Sequence, residues 1–524
     1  METWGSAPSR HRGRAATIVA ALAAATALIL SLVSCAPESS SGGGGSTLTY
    51  ATGAAPRTLD ILTVDDHPAT ELLAPDVYEP LTRVGYDSSG KVTWEPLLAT
   101  SWDEVTPSQW RFHIREGVKF HNGQPLTADD VVYSINRRLS PDSEQIGLLS
   151  LIDKAVKVDD KTVDVFATQP NPLVYRAMYG IPITPNGWGE NNKNEAATTA
   201  NGTGPYKLTS YTNGGNNATL TKSSDYWGEP AKIDTINMRV IPEASAAFQA
   251  LQTGEVNVVD NLTPDLVSKA PAVIDHESVL MMIARIGTEN PVMSDVRVRQ
   301  ALNMAIDRDS IIKNVYHGYA SAPNGQIIPP EALGYNSSVT DYLFDHERAK
   351  QLINEAGATG KPISMLCNSD RYGTAGRDLC QVLSQNFKNI GLQVDLKYQP
   401  TDKWTNEGLY APKNKIAPPD VFVAGAGTSD LNGGNTLLNW LTCGSDRNTY
   451  CNPELEAAIR AALAQPDVNA QQEQLQALAS QVKDAAPFLF IVLPHNTWGV
   501  SQNVQGTLYP IPEDVRWADW SFKS

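Results

Sequence analysis

Five cysteines offer the plainest covalent chemistry in this chain. Cys35 follows Leu32-Val33-Ser34, at the end of an apolar and small-residue run over residues 15–33 that Arg10, Arg12 and Arg14 precede. A basic segment, an apolar core and a small residue before a cut describe a secretory signal peptide over residues 1–34. A cysteine just past the cut resembles a lipobox, whose thiol receives a diacylglyceryl thioether and becomes the first residue of the mature chain. The alternative is an uncleaved anchor, since about 18 or more apolar residues can span a bilayer; the alanine richness and the segment that follows weigh against it. Residues 35–47 read as the lipidated cysteine and a tether, because residues 39–46, with four consecutive glycines, cannot bury apolar surface.

Cys367, Cys380, Cys443 and Cys451 remain. An even number in an oxidising compartment favours disulfides, with three pairings possible. Cys443–Cys451 is preferred, because Gly444-Ser445-Asp446-Arg447-Asn448 is rich in turn formers, and Cys367–Cys380 is then the second bridge. Zinc would need closer spacing and a nearby histidine pair. Other chemistry is missing. There is no His-Glu-x-x-His run, no Gly-x-Ser-x-Gly elbow and no phosphate-binding loop, and the eight histidines are scattered. No cofactor, metal or catalytic set is implied, and a secreted hydrolase would lack a recognisable nucleophile and base.

Charge narrows the partners. The signal segment, with Glu2 against Arg10, Arg12 and Arg14, contributes +2 to the net −16, so the mature part carries −18. That excludes nucleic acid, which needs clustered Lys and Arg. It also excludes peripheral binding to anionic lipid, leaving the lipid anchor as the membrane contact. A length of 524 residues exceeds one small core, so two or more lobes are expected.

The elements alternate between strand and helix. Over residues 109–120, Trp110, Phe112 and Ile114 alternate with Arg111, His113 and Arg115 as a half-buried strand; Glu116-Gly117 turns, and Val118 and Phe120 resume the pattern. Thr127-Ala128-Asp129-Asp130 reads as a capping box before a helix with Val131, Val132, Ile135 and Leu139 inward. Ile236, Met238 and Val240 mark a strand, residues 244–253 a helix stopped by Gly254, and residues 256–259 another strand. Ser294 is placed to cap a helix carrying Val298, Ala301, Leu302 and Ala305, and Asn452-Pro453-Glu454 opens one carrying Leu455, Ile459 and Leu463. The alternation predicts an α/β fold, a sheet covered by helices.

Ala99-Thr100-Ser101-Trp102 and Phe112-His113-Ile114-Arg115-Glu116-Gly117-Val118-Lys119-Phe120-His121-Asn122-Gly123-Gln124-Pro125-Leu126-Thr127-Ala128-Asp129-Asp130-Val131 resemble the signature of the family 5 (dipeptide/oligopeptide-type) solute-binding proteins of ABC importers. Gly202-Thr203-Gly204-Pro205-Tyr206, Asp295-Val296-Arg297-Val298-Arg299-Gln300-Ala301-Leu302, Ala349-Lys350-Gln351-Leu352-Ile353 and Tyr450-Cys451-Asn452-Pro453-Glu454-Leu455 follow in the family's order. The resemblance implies a bilobal periplasmic-binding-protein-like clamp of the large, type II/cluster C kind. Lobe I would span residues 48–285 plus 490–524, with an inserted subdomain at about 81–200, and lobe II residues 286–489. The lobes close by hinge motion on a short peptide, and an ABC permease receives it. The protein would work as a monomer on the outer face of a bacterial membrane.

Peptide-binding members place the ligand ammonium on an aspartate after a Gly-rich strand. Here Val421-Phe422-Val423-Ala424-Gly425-Ala426-Gly427-Thr428-Ser429-Asp430 has that form, with Asp430 as the acid and Gly425, Gly427, Thr428 and Ser429 along the ligand main chain. Asp430 could instead cap its loop. Ala426 stands where the family often has tryptophan, and Asn432-Gly433-Gly434 replaces a common acidic cluster. Arg371 matches the position that holds a peptide carboxylate, or else pairs with Asp370 or Asp378. Trp404 and Trp440 are candidates for side-chain pockets or for core. An oligosaccharide, a nickel chelate or haem is the alternative cargo of the same clamp.

Overall fold

Alternation sets the centre of the molecule. In the strand Met281–Ile286, Met282, Ala284 and Ile286 enter one apolar core, while Met281 and Ile283 enter another on the opposite face. A strand buried on both faces needs a packed layer on each side of its sheet. A computed structural model describes residues 46–523, apart from 65–66, 89–90, 142, 145–150, 191–192, 213–216, 429 and 512–513. The signal peptide, Cys35 and most of the tether lie outside the described residues. Among those described, no helix is long and apolar enough to cross a membrane.

Among the described residues a 12-stranded mixed sheet runs through both lobes. Its continuity rests on one strand, Phe488–Val500. The first part pairs antiparallel with Met281–Ile286, from Arg285↔Phe488 to Met282↔Val492. The middle meets Ala320–Ser321, and the last part pairs with Ala272–Glu277 and Val258–Val259. Lobe I continues through Thr47–Thr52 and Thr235–Val240, which are parallel, to Asn217–Lys222 and Tyr206–Tyr211. Lobe II continues through Val421–Ala426 and Pro362–Asn368 to Gln393–Gln399. The expected bilobal α/β clamp is the architecture found. The C-terminal segment closes the core of lobe I: Trp517 and Trp520 are fully buried, and the Trp517 ring lies 4.6 Å from that of Tyr50.

A separate four-stranded antiparallel sheet, ordered Ala99–Thr106, Gln109–Ile114, Thr162–Ala167 and Ile152–Asp159, lies under the helix Ala128–Arg138. Trp110, Phe112 and Ile114 are buried as their spacing requires. Val118 and Phe120 are buried too, but their segment forms only a bridge between Lys119 and Pro125. Asp130 closes the cap of the helix by accepting both the N–H and the hydroxyl of Thr127 at 2.7 Å.

Two boundaries differ from expectation. Asp295, not Ser294, caps Val296–Met304, its carboxylate accepting from the Arg297 N–H at 2.9 Å; Ser294 ends the preceding turn Pro291–Ser294. A carboxylate also complements the positive helix end, which a hydroxyl cannot do. The strand over 256–259 shrinks to Val258–Val259, because the Val256 N–H bonds back to the Ala250 carbonyl behind the left-handed Gly254. Both disulfides form as paired, Cys367–Cys380 joining a strand end to the helix Gly373–Asn389 and Cys443–Cys451 closing a loop.

Lobe I buries three titratable groups. Burial pushes Asp76 up to about 8, against N–H bonds from Trp517 and Ala518. Burial likewise takes Glu79 up to about 7, although Thr203, Tyr226 and Trp227 all donate to it. Burial pushes His121 down to about 4; its Nε2 donates to the Gly204 carbonyl at 2.9 Å. The two acids keep protons that an unfolded chain has already released, so their contribution is whole below the ordinary carboxylate range and lost as pH rises through about 7 and 8. His121 acts oppositely, losing stability as pH falls from 6.5 toward about 4. Each group contributes a slope of up to about 1.4 kcal/mol per pH unit. Below 6.5 the histidine offsets one acid, so the decline is steepest just above that value. Thermal melts should give a higher Tm at pH 6 than at pH 8.5, and a Tm that climbs over that interval would refute this assignment.

Candidate functional site

Three parallel strands of lobe I, Thr47–Thr52, Thr235–Val240 and Val258–Val259, end at one edge, where Gly53, Glu243 and Asp260 follow them. Crevices form at the carboxyl ends of such strands because the chain there diverges into loops and helices. A cleft of about 770 Å³ opens at that edge. Its lobe I wall carries Glu71, Glu243, Asp260 and Asn261. The lobe II wall carries Arg371, Tyr372 and Arg377, with the first turn of the 17-residue helix Gly373–Asn389. The positive end of that helix adds to the two guanidinium groups. Asp370 also lines this second wall, so one wall is anionic and the other carries two guanidinium groups against one carboxylate. Asn261 donates to the Ile241 carbonyl at 3.0 Å, while its buried Oδ1 accepts no hydrogen bond among the described residues.

Beside the cleft lies the Gly-rich strand. Val421–Ala426 pairs with Met281–Ile286 along its whole length, but with Pro362–Asn368 only at Met365↔Val421 and Leu366↔Phe422. Beyond Phe422 that second edge is open. Gly425 donates its N–H to the Tyr372 hydroxyl at 2.9 Å, and Gly427 is exposed. Thr428 is buried, and its hydroxyl donates to Asp430 Oδ1 at 2.8 Å. The same oxygen accepts the Asn432 N–H at 3.0 Å, and Oδ2 accepts Asn435 Nδ2 at 2.6 Å. The Asp430 carboxylate thus fastens the turn that leads into the helix Gly433–Leu441. Ser429 lies outside the described residues. One residue on, Leu431 has a φ of +52°, and its carbonyl accepts from Arg176 Nη1 at 3.0 Å. Arg176 belongs to the helix Val174–Ala177, so this bond joins segments far apart in the chain.

Arg371 is exposed on the cleft wall, with its guanidinium 6.0 Å above the Tyr372 ring. Among the described residues neither Asp370 nor Asp378 forms an ion pair with it; Asp370 instead accepts from Thr401. Trp404 is buried, stacked on Phe422 at 4.7 Å and edge-on to Tyr372 at 6.2 Å, which makes it the layer behind the wall. Trp440 is also buried, against Phe488, and is core. The geometry brings together Gly425, Tyr372 and Arg371; of the expected site residues only Arg371 lines the cleft, and Gly425, Gly427, Thr428, Asp430, Trp404 and Trp440 lie outside its lining. Sequence reasoning missed Tyr372, although it adjoins Arg371, and missed the acids of lobe I. Their signal was position: Glu243 and Asp260 stand just beyond strand ends.

Comparison with known proteins agrees with the fold. The dipeptide-binding protein of Escherichia coli is 28% identical over 443 residues, covering 77% of this chain and 81% of the relative. The heme-binding protein A of Haemophilus influenzae is 27% identical over 472 residues, covering 80% and 82%. The periplasmic binding protein DppA of Helicobacter pylori, solved with the peptide STSA, superposes with a TM-score of 0.74 at 22% identity, covering 92% of this chain and 98% of that one. The family model of bacterial extracellular solute-binding proteins, family 5, matches residues 93–448. This clamp, with its cleft at the strand ends and no catalytic set in its sequence motifs, belongs to the bacterial extracellular solute-binding proteins of family 5.

Proposed function

We propose that the protein captures short peptides between its lobes and delivers them to the permease of an ABC importer. One observation supports this reading: a wall of acids faces a wall with two guanidinium groups across a cleft of about 770 Å³, next to a strand edge that no described strand pairs beyond Phe422. A peptide is a zwitterion with a repeating amide backbone. Buried charges need partners, so its site must supply an acid, a base and strand-like hydrogen bonds. Arg371 takes the carboxylate, since among the described residues its planar fork has no carboxylate partner of its own. The Gly425–Gly427 edge takes the main chain. The ammonium faces Glu71 and Asp260, while Asp430 shapes the site by tying Thr428 to Asn432 and Asn435. Peptide-binding relatives, including those of Escherichia coli and Helicobacter pylori, support the same cargo class.

Residues 48–285 plus 490–524 form lobe I in this reading, and 286–489 form lobe II. Lobe closure about Met281–Ile286 and Phe488–Val500 buries the ligand. Lipidation at Cys35 holds a monomeric clamp at the outer membrane face, with residues 35–47 as the lipidated cysteine and its tether.

Isothermal titration of the purified protein against a panel of di- to pentapeptides tests the cargo. Micromolar or tighter binding is expected for some members. Arg371→Ala should weaken it about tenfold to a hundredfold, the loss of a charge-assisted pair. Asp430→Ala should weaken it less and lower the melting temperature, because it frees a loop. No binding across the panel, with haem or a sugar bound instead, would overturn the peptide reading.

A further inference from the structure

The open edge of the Gly-rich strand is not empty. Beyond Phe422 the strand Pro362–Asn368 no longer pairs with it, and an extended ligand would lie there with a carbonyl facing the Gly425 N–H. That N–H already donates to the Tyr372 hydroxyl at 2.9 Å. One N–H has one in-line direction, so the hydroxyl and a ligand carbonyl cannot both take a full hydrogen bond from it. A glycine is needed for the approach: a Cβ at position 425 would lie 2.9 Å from Leu280 Cδ1 and 3.4 Å from the Tyr372 hydroxyl.

We infer that Tyr372 acts as a built-in competitor, its hydroxyl standing in for the ligand carbonyl on Gly425 until a ligand displaces it. This deepens the peptide reading and rests on it. Tyr372 lines the cleft and is the last residue before the helix Gly373–Asn389, so its side chain hangs from a helix end rather than from a strand. Its ring is edge-on to Trp404 at 6.2 Å, and the Arg371 guanidinium lies 6.0 Å from its centroid. Burial raises the phenol, while the Arg371 charge and the Gly425 N–H pull it back, so both neighbours favour an electron-rich oxygen there.

The two subsites are therefore linked. A ligand carboxylate that engages Arg371 draws the guanidinium off the Tyr372 ring and weakens the hold on the hydroxyl. The ligand main chain then inherits the Gly425 N–H. Selection follows from this linkage: a solute must bring both a carboxylate and a suitably spaced carbonyl. A solute with only one of them meets an edge that is already satisfied.

The test compares wild type with Tyr372→Phe, which keeps the ring and removes the hydroxyl. The probes are tri-alanine and tri-alanine amide, with calorimetric Kd as one readout. Exchange of the Gly425 amide, followed by hydrogen–deuterium methods, is the other. In the free variant that amide should exchange faster than in wild type, and tri-alanine should protect it in both. Tri-alanine should bind the variant about three- to tenfold more tightly, the range a single exchanged hydrogen bond allows. The penalty for C-terminal amidation should shrink in the variant, because the carboxylate no longer has a competitor to dislodge. Equal or weaker binding of tri-alanine by Tyr372→Phe would overturn the inference and make the hydroxyl a ligand contact or a bystander. Failure of wild type to bind any peptide of the panel would overturn the peptide reading and this inference with it, and the two failures are told apart by wild type alone.

Discussion

Gly202→Ala is expected to leave lobe I unfolded, with little soluble protein recovered. A Cβ at this position would lie 1.8 Å from the Val77 carbonyl oxygen and 2.6 Å from its carbon. Both are backbone atoms and cannot rotate away. Nor can the two segments separate cheaply. The Gly204 N–H donates to the same Val77 oxygen at 3.1 Å, the Tyr206 N–H to the Asp76 carbonyl at 2.9 Å, and the His121 N–H to the Gly202 carbonyl at 2.8 Å. Relief of the clash breaks several of these bonds in the interior, where each orphaned group costs about 1–3 kcal/mol. The sum exceeds about 4 kcal/mol, a large part of the roughly 5–15 kcal/mol that holds a native protein together. Soluble yield and near-ultraviolet circular dichroism would check it. A variant that melts within a few degrees of wild type would show that the segments can part.

Arg285→Leu should destabilise the protein by about 3–5 kcal/mol in denaturant titrations. Arg285 is fully buried on the strand Met281–Ile286, with its guanidinium 4.8 Å over Phe422. It donates to the carbonyls of Leu409 at 3.1 Å and Gly408 at 2.8 Å, and to that of Arg447. Burial lowers its pKa to about 10, which still leaves it charged at neutral pH. Two effects oppose each other. Removing a buried charge relieves desolvation and can stabilise a protein by about 1–4 kcal/mol when the whole polar set is replaced. Here only the donor leaves, and three carbonyls remain behind without it, so the loss prevails. Arg285→Lys should rescue little, because one ammonium cannot reach the spread of acceptors that the planar fork serves. Unchanged stability in Arg285→Leu would mean that water replaces the guanidinium.

What the sequence disclosed was local. The alternation of Trp110, Phe112 and Ile114, the Thr127–Asp130 cap and the stop at Gly254 each follow from neighbours a few residues apart. The cap formed by Asp430 was legible in the same way. Its partners Thr428, Asn432 and Asn435 are all within five residues, and short polar side chains satisfy their own turns readily. The contact between Tyr372 and Gly425 was not, because residues 53 apart meet only when two strands of one sheet diverge. The anionic wall was hidden for a related reason. Glu71 comes from the helix His67–Leu73, and Glu243 and Asp260 follow two strands far apart in sequence, so only the assembled sheet and helix gather them at one edge.

The closing of the lobe I core by the last residues bears on how the chain is made. Thr47–Thr52 is the first described strand to leave the ribosome, yet Tyr50 waits for Trp517. Lobe II can form its helices and close Cys367–Cys380 while lobe I still lacks its floor. Synthesis order and folding order therefore run opposite for the lobe that begins first. Tyr50 and Trp517 pack together from opposite ends of the described chain, so a stop codon that removes residues 517–524 strips the packing from a strand encoded more than four hundred codons upstream.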